Sequence, residues 1–371
     1  MSMRRIALAA SAMALALVGC ASAPHVTPSK AAAPRIGHVF VIVLENEPFD
    51  TTFGAQSQAP YLAHELPAQG AMLRQYFGIG HFSLPNYLAM ISGQAPNQAT
   101  QGDCPVLREF VATDPALDAD GQLPGEGCVY PVSVKTLADQ LDTAGFTWKG
   151  YMEDMGKDPS REAAACGHAA IGAKDETNHA TADDQYADKH DPFVYFHSII
   201  DDPVRCEHHV VNLDVLAHDL GNLATTPNYA FITPNLCHDG HDAPCRNGEP
   251  GSLVSADAFL REWVPKIRQS AAFKQDGLIV ITFDEGVLDS TACCGERGLP
   301  GGPPAGMDGP GGGRIGAVLI APSIRPGTVS EVPYNHYALL RWTEDNFHLG
   351  HLGHAGAAGL ATFGADVFAK P

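Results

Sequence analysis

Continuous apolar runs alternate along the chain with stretches whose apolar residues recur at helical spacing. His38 to Leu44 is an unbroken β-branched and aromatic run, as expected of a strand buried on both faces. Similar runs occur at Phe146–Met152, Asn228–Thr233, Leu278–Phe283 and Ile315–Ala321. Between them, Leu84, Leu88 and Ile91 fall on one helical face. Val134–Ala144, Ala256–Ser270 and His336–Leu349 also carry a helical period, and apolar patterning returns at Val194–Ile200 and Val210–Leu223. Strands alternating with helices predict one α/β domain with a largely parallel sheet. Three stretches carry no period and read as excursions: Asn97–Pro131, Glu153–Asp191 and the Gly/Pro-rich Leu288–Gly313. No internal repeat is visible.

The first residues follow a different logic. Arg4 and Arg5 precede an apolar run, Ile6 to Val18, that is too short to span a bilayer as a helix. The run ends in Leu17-Val18-Gly19-Cys20, which reads as a bacterial lipoprotein cleavage box with Cys20 as the lipidated residue. Simple secretion after Ala21-Ser22-Ala23 is the alternative. Residues 1–20 are thus expected to be a signal segment and 21–34, rich in Ala, Pro and Ser, a flexible tether. Residues 35–371 would form the single folded domain. The expected location is the periplasm or cell envelope, with membrane contact only through a lipid on Cys20.

Composition narrows the partners. The chain has 371 residues, 45% hydrophobic and 18% charged, with a formal charge of −19. Removing the first 19 residues would take away two arginines and no acids, giving −19 − 2 = −21. This balance argues against nucleic acid and anionic membrane surfaces as partners. It permits a small phosphorylated substrate, because a bound metal reverses the local sign. With Cys20 lipidated, eight of the nine cysteines remain, an even set that reads as disulfides in an exported protein. Cys104–Cys128 and Cys237–Cys245 would close local loops. Cys293 and Cys294 are adjacent and are expected to pair elsewhere, for example with Cys166 and Cys206.

Polar residues follow the apolar runs where an open parallel sheet places its site. They are Glu45-Asn46, Asn235 through Asp242 and Asp284-Glu285. Carboxylate, amide and imidazole together suit Mg, Ca, Mn or Zn. Ser83, just before Pro85 at the start of a helix, would meet free N–H groups that favour an anion. A serine there is a plausible nucleophile toward a phosphate ester, with an ordinary helix cap as the bland alternative. A surface turn would equally explain His238 to Asp242, a cap Asp284-Glu285, and a structural histidine His336. Three such clusters at strand ends, four counting Ser83, are harder to assign to turns.

From about His38 to Leu349 the chain resembles the phosphoesterase family of acid phosphatases and non-haemolytic phospholipases C, a branch of the alkaline phosphatase superfamily. The resemblance rests on five motifs. These are Glu45-Asn46 with Phe49-Asp50 and Phe53-Gly54; Ser83-Leu84-Pro85-Asn86-Tyr87 with Gly93; Asn235 through Asp242; Asp284-Glu285-Gly286; and Asn335-His336-Tyr337 with Arg341 and Glu344-Asp345. It implies a three-layer α/β sandwich with helices on both faces of the sheet and disulfide-stapled loops. It also implies that Glu45, Asn46, Asp284 and Glu285 hold a divalent metal with Ser83, which attacks phosphorus and forms a phosphoseryl intermediate. Asn86 would bind a phosphoryl oxygen. His81 would act as donor or leaving-group acid, and His241 would be catalytic. His238, Asp239 and His336 would line the substrate wall. Asn235, Asp239, His241 and Asp242 would form a second metal site, although the position four after Asn235 is Asp239 and not the histidine of two-zinc enzymes.

The function expected is an exported metal-dependent phosphomonoesterase. The same scaffold could serve a phosphodiesterase or phospholipase C, against which the short stretch after the closing helix argues. A non-catalytic lipoprotein binding phosphate or metal is the alternative from another class. Tyr87, where sulfatases carry Arg, argues against a sulfatase, and the lack of a Gly-x-Ser-x-Gly elbow argues against an acyl hydrolase.

Overall fold

The computed structural model describes residues 35–306 and 309–368, so the expected signal segment, Cys20 and the tether lie outside the described residues. The apolar runs become strands with small shifts at their ends. The main sheet contains β1 (His38–Leu44), β2 (Ala71–Leu73), β3 (Trp148–Met152), β4 (Val210–Asn212), β5 (Tyr229–Thr233), β6 (Gly277–Phe283), β7 (Ala317–Ile320) and β8 (Thr328–Ser330). Their order across the sheet is β8-β2-β7-β6-β1-β5-β3-β4. Only β7 runs antiparallel to its neighbours; all other pairings in this sheet are parallel. Every residue of β1, β5 and β6 is buried whichever face it points to, so both faces of the sheet centre are covered.

The covering helices of eight residues or more are α1 (Ser83–Ser92), α2 (Leu137–Ala144), α3 (Ser252–Gln269) and α4 (His336–Phe347). α1, α2 and α4 pack on one another, while α3 packs on the short helix Ala271–Asp276. This is the three-layer α/β arrangement expected. α1 is buried all round rather than along one stripe, as befits a helix enclosed between the sheet and other elements. It ends at Gly93, whose φ of +68° closes the helix; a Cβ there would lie 2.3 Å from the Leu352 carbonyl oxygen. α2 begins at Thr136 in a capping box with Asp139.

Parallel register brings the polar strand ends level. Val43 and Leu44 lie opposite Thr282 and Phe283, so Glu45 and Asp284 leave the sheet side by side. The Asp284 N–H donates to the Leu44 carbonyl at 2.9 Å, and the Glu45 N–H to the Asp239 carbonyl at 2.8 Å.

Four disulfides close among the described residues: Cys104–Cys128, Cys166–Cys206, Cys237–Cys245 and Cys293–Cys294. The first and third are the expected local loops. The other two correct the expected pairing. Cys166 hydrogen-bonds the edge of β4 through Val210, and Cys206 sits in the short helix that leads into β4, so topology brings these two together. Cys293 and Cys294 bond to each other.

Candidate active site

Ser83 is the first residue of α1, and Phe82 before it holds a φ of +70°. Its hydroxyl donates to Glu45 Oε2 at 2.8 Å. The other oxygen of Glu45 accepts from the Tyr87 hydroxyl at 2.8 Å, one helical turn along α1. The Asn46 amide donates to Glu45 Oε2 at 2.8 Å, and its backbone N–H donates to Asp284 Oδ1 at 2.9 Å. Four sequence-named residues thus converge as expected: Glu45, Asn46, Ser83 and Asp284. Beneath them His190 has Nε2 3.2 Å from Glu45 and Nδ1 3.6 Å from Asp239, and its ring stacks on Tyr87.

A cavity of about 520 Å³ opens above this cluster, within the range of small-ligand sites. Asn46, His81, Phe82, Ser83, Asp103, Lys189, His241, Glu285, Val287, Leu288 and Ser290 line it. Nine non-glycine residues among those described have positive φ, and four of them, Asn46, Phe82, Asp103 and Leu288, line this cavity. Such concentrated backbone strain is characteristic of a functional site.

The electrostatics are unusual. Burial, reinforced by Asp284 and Asp239, pushes the Glu45 carboxyl well above its ordinary range. Burial and then Glu285 do the same to Asp284, and burial pushes Asp239 up to about 7. Asp284 Oδ2 and Asp239 Oδ2 are buried without a hydrogen-bond partner. Orphaned carboxyl oxygens beside an amide and a serine hydroxyl form a donor set that fits a hard divalent cation, which Glu45, Asn46, Ser83 and Asp284 would hold. Glu285, the fifth expected ligand, is bonded to His81 Nδ1. Elsewhere among the described residues, three ligand atoms converge at Cys237, His238 and Glu249 and at Cys293, Cys294 and Glu296, but these cysteines are in disulfides.

Other sequence-named residues have different surroundings. Asn86 is fully buried; its oxygen accepts from the Ile79 and Gly80 N–H groups and its amide donates to the Gly80 and Phe82 carbonyls. Every hydrogen-bonding position is in use, so Asn86 shapes the turn that presents Ser83 and has none left for a phosphoryl oxygen. At the helix N-terminus the Leu84 N–H is in use as well, donating to Asp103 Oδ1 at 3.0 Å. His336 lies behind the site, with Nε2 donating to the Asp284 carbonyl at 2.6 Å, and burial lowers its pKa to about 4. It supports the Asp284 strand end and does not reach the cavity wall. His238 bonds Glu153 and Glu249, and Asn235 caps its own turn. His241 does line the cavity, with Nδ1 2.8 Å from Asp242. The expected second metal set is therefore divided: Asp239 is buried beside His190, whereas Asn235 is directed into its turn.

Sequence reading missed Tyr87, Asp103, Lys189 and His190. Tyr87 was detectable, since it lies four residues after Ser83 on the same helical face. The others come from excursions without a period.

The model of the Phosphoesterase family matches residues 55–350. A probable acid phosphatase of Kluyveromyces lactis is 27% identical over 314 residues, 84% of this chain and 59% of that protein. A phosphate-repressible acid phosphatase of Penicillium chrysogenum is 28% identical over 60% of this chain and 42% of that protein. The chain thus spans about half the length of these fungal relatives. The phosphatidylinositol-3-phosphatase of Mycobacterium tuberculosis is 27% identical over 88% of this chain and 82% of that protein. Among solved structures, an alkaline phosphatase superfamily protein from Vibrio parahaemolyticus aligns over 93% of this chain and 76% of that chain, with a TM-score of 0.46 and 13% identity. With strand-end carboxylates gathered around a buried serine, and with the family match running over most of its length, the chain belongs to the Phosphoesterase family.

Proposed function

We propose that the protein is an exported phosphomonoesterase of the acid phosphatase type, with Ser83 as nucleophile. The observation that carries this reading is the Ser83 hydroxyl, which lines the cavity and donates at 2.8 Å to Glu45, next to the strand-end Asp284 with its buried, unpartnered carboxyl oxygen. A divalent cation held by Glu45, Asn46, Ser83 and Asp284 would lower the hydroxyl pKa and neutralise charge on the phosphoryl group. The chain's own residues do the rest. The proton of Ser83 leaves along its hydrogen bond to Glu45 Oε2 as Oγ bonds to phosphorus and the ester P–O bond breaks in line. His81 is the acid for the departing alkoxide: the hydrogen bond its Nδ1–H donates to the Glu285 carboxylate raises its pKa, and its Nε2 meets Ser290, another lining residue. Water then attacks phosphorus, gives a proton to His81, and Ser83 recovers its own, releasing inorganic phosphate.

Phe82, Val287 and Leu288 form an exposed apolar rim at the cavity mouth. It favours an ester with an apolar leaving group, and on that ground a phospholipid diester is the second reading. Disulfides support export, since they persist in oxidising compartments. The test is hydrolysis of p-nitrophenyl phosphate beside bis-p-nitrophenyl phosphate, with and without EDTA, by wild type and Ser83→Ala. Monoester turnover abolished by EDTA and by the substitution is expected. Preference for the diester would support the second reading. Undiminished activity in Ser83→Ala would remove the mechanism, and phosphate binding without turnover would identify a non-catalytic binding protein.

A further inference from the structure

Lys189 is the only lysine or arginine among the described residues that line the cavity. Its ammonium is 3.1 Å from Asp103 Oδ2, and its side chain is 12% exposed. Burial pulls its pKa down, but the charges of Asp103 and Glu45 outweigh this and hold it above its ordinary value. Asp103 holds the lysine from a fixed base. Its other oxygen accepts the Leu84 N–H, the first backbone donor after the nucleophile. Asp103 and Cys104 have consecutive positive φ values of +54° and +43°, and Cys104 is tied to Cys128. Two strained residues in succession persist only where their surroundings over-determine them. The result is a fixed cation in the cavity that Ser83 also lines.

This cation answers a need left by two other residues. Asn86 has no free donor, and the Leu84 N–H at the helix N-terminus is already given to Asp103. We propose that Lys189 binds a non-bridging oxygen of the substrate's phosphoryl group, that Asp103 positions it, and that the pair sets a preference for monoester dianions. The inference rests on the phosphoesterase reading above and assigns the residue that reads substrate charge. Above about pH 6 a phosphate monoester carries a second negative charge that a diester lacks. A compact ammonium in a poorly solvated cavity discriminates between those charges by Coulomb attraction. Asp103 touches no substrate in this scheme; it acts through the lysine.

The test compares wild type, Lys189→Met, Lys189→Arg and Asp103→Asn on p-nitrophenyl phosphate and bis-p-nitrophenyl phosphate at pH 7.5. Thermal unfolding of each variant is recorded alongside, and inorganic phosphate binding is measured by titration calorimetry. Lys189→Met is expected to lower monoester kcat/KM on the order of 100-fold, the scale for loss of one charge-stabilising donor. The diester value should fall by less than about tenfold, and phosphate binding should weaken in step with the monoester. Lys189→Arg, which keeps the charge, should restore phosphate binding in part. Asp103→Asn should raise monoester KM more than it lowers kcat. Equal losses on both esters in a folded Lys189→Met variant, or phosphate affinity unchanged from wild type, would overturn the role of Lys189 while leaving the phosphatase reading standing. Wild type that turns over neither ester would overturn that reading and this inference with it.

Discussion

Glu344 shows how single buried groups set the pH response of the fold. Its side chain lies on α4, accepts the Leu352 N–H at 2.8 Å through one oxygen, and leaves the other buried without a partner. Burial pushes its pKa up from the ordinary 4.5 to about 9. The folded state therefore holds this proton more tightly than the unfolded chain does. Its contribution is fully present below about pH 4.5 and is lost as pH rises toward about 9. Glu344→Gln keeps an acceptor for Leu352 and removes the titration. The substituted protein should match wild type near pH 4 and become progressively more stable than it between pH 5 and 8, as read from urea midpoints. Equal midpoints across that window would contradict the assignment. Residue identity alone did not disclose this role, nor that of Asn86. Both belong to family motifs, yet the structure shows one capping a loop and the other filling a turn. Chemical type was legible; the direction each side chain takes was not, because it depends on backbone neighbours supplied by distant segments.

At the scale of elements, long and continuous apolar runs were legible because a strand buried on both faces needs apolar residues at every position. β1, β5 and β6 follow this rule. β2 and β8, three residues each, are too short to show a period, and the antiparallel direction of β7 depends on pairing that no local pattern records. The stapled loop 97–131 was recognised as an excursion with its own bridge, but not as a supplier of a site residue. Its disulfide closes 24 residues of sequence and ends beside Asp103. Replacing Cys104 and Cys128 together by serine should cost roughly 3 kcal/mol of stability by release of loop entropy in the unfolded chain. Because Asp103 holds Lys189, monoester kcat/KM should fall as well, under conditions where the variant remains folded. Full activity with reduced stability would show that the bridge serves stability alone.

Across the whole molecule, the parallel sheet explains why a cluster dispersed from residue 45 to residue 285 could be read from sequence. Parallel strands present their C-terminal ends at one edge, so Glu45 and Asp284 had to meet. Nothing comparable places Lys189 and His190, which reach the site from the excursion 153–191 through packing against α1. To bind the phosphate ester proposed here, a molecule of net charge −19 would need local positive charge, which Lys189 would supply and a cation among the buried carboxylates would add. The measurement that tests the central claim most directly is mass spectrometry of the enzyme quenched in acid during turnover of p-nitrophenyl phosphate. The account predicts a phosphate group on the peptide bearing Ser83, absent from Ser83→Ala. Turnover at the wild-type rate with no phosphorylated peptide, or with phosphate on a different residue, would contradict it.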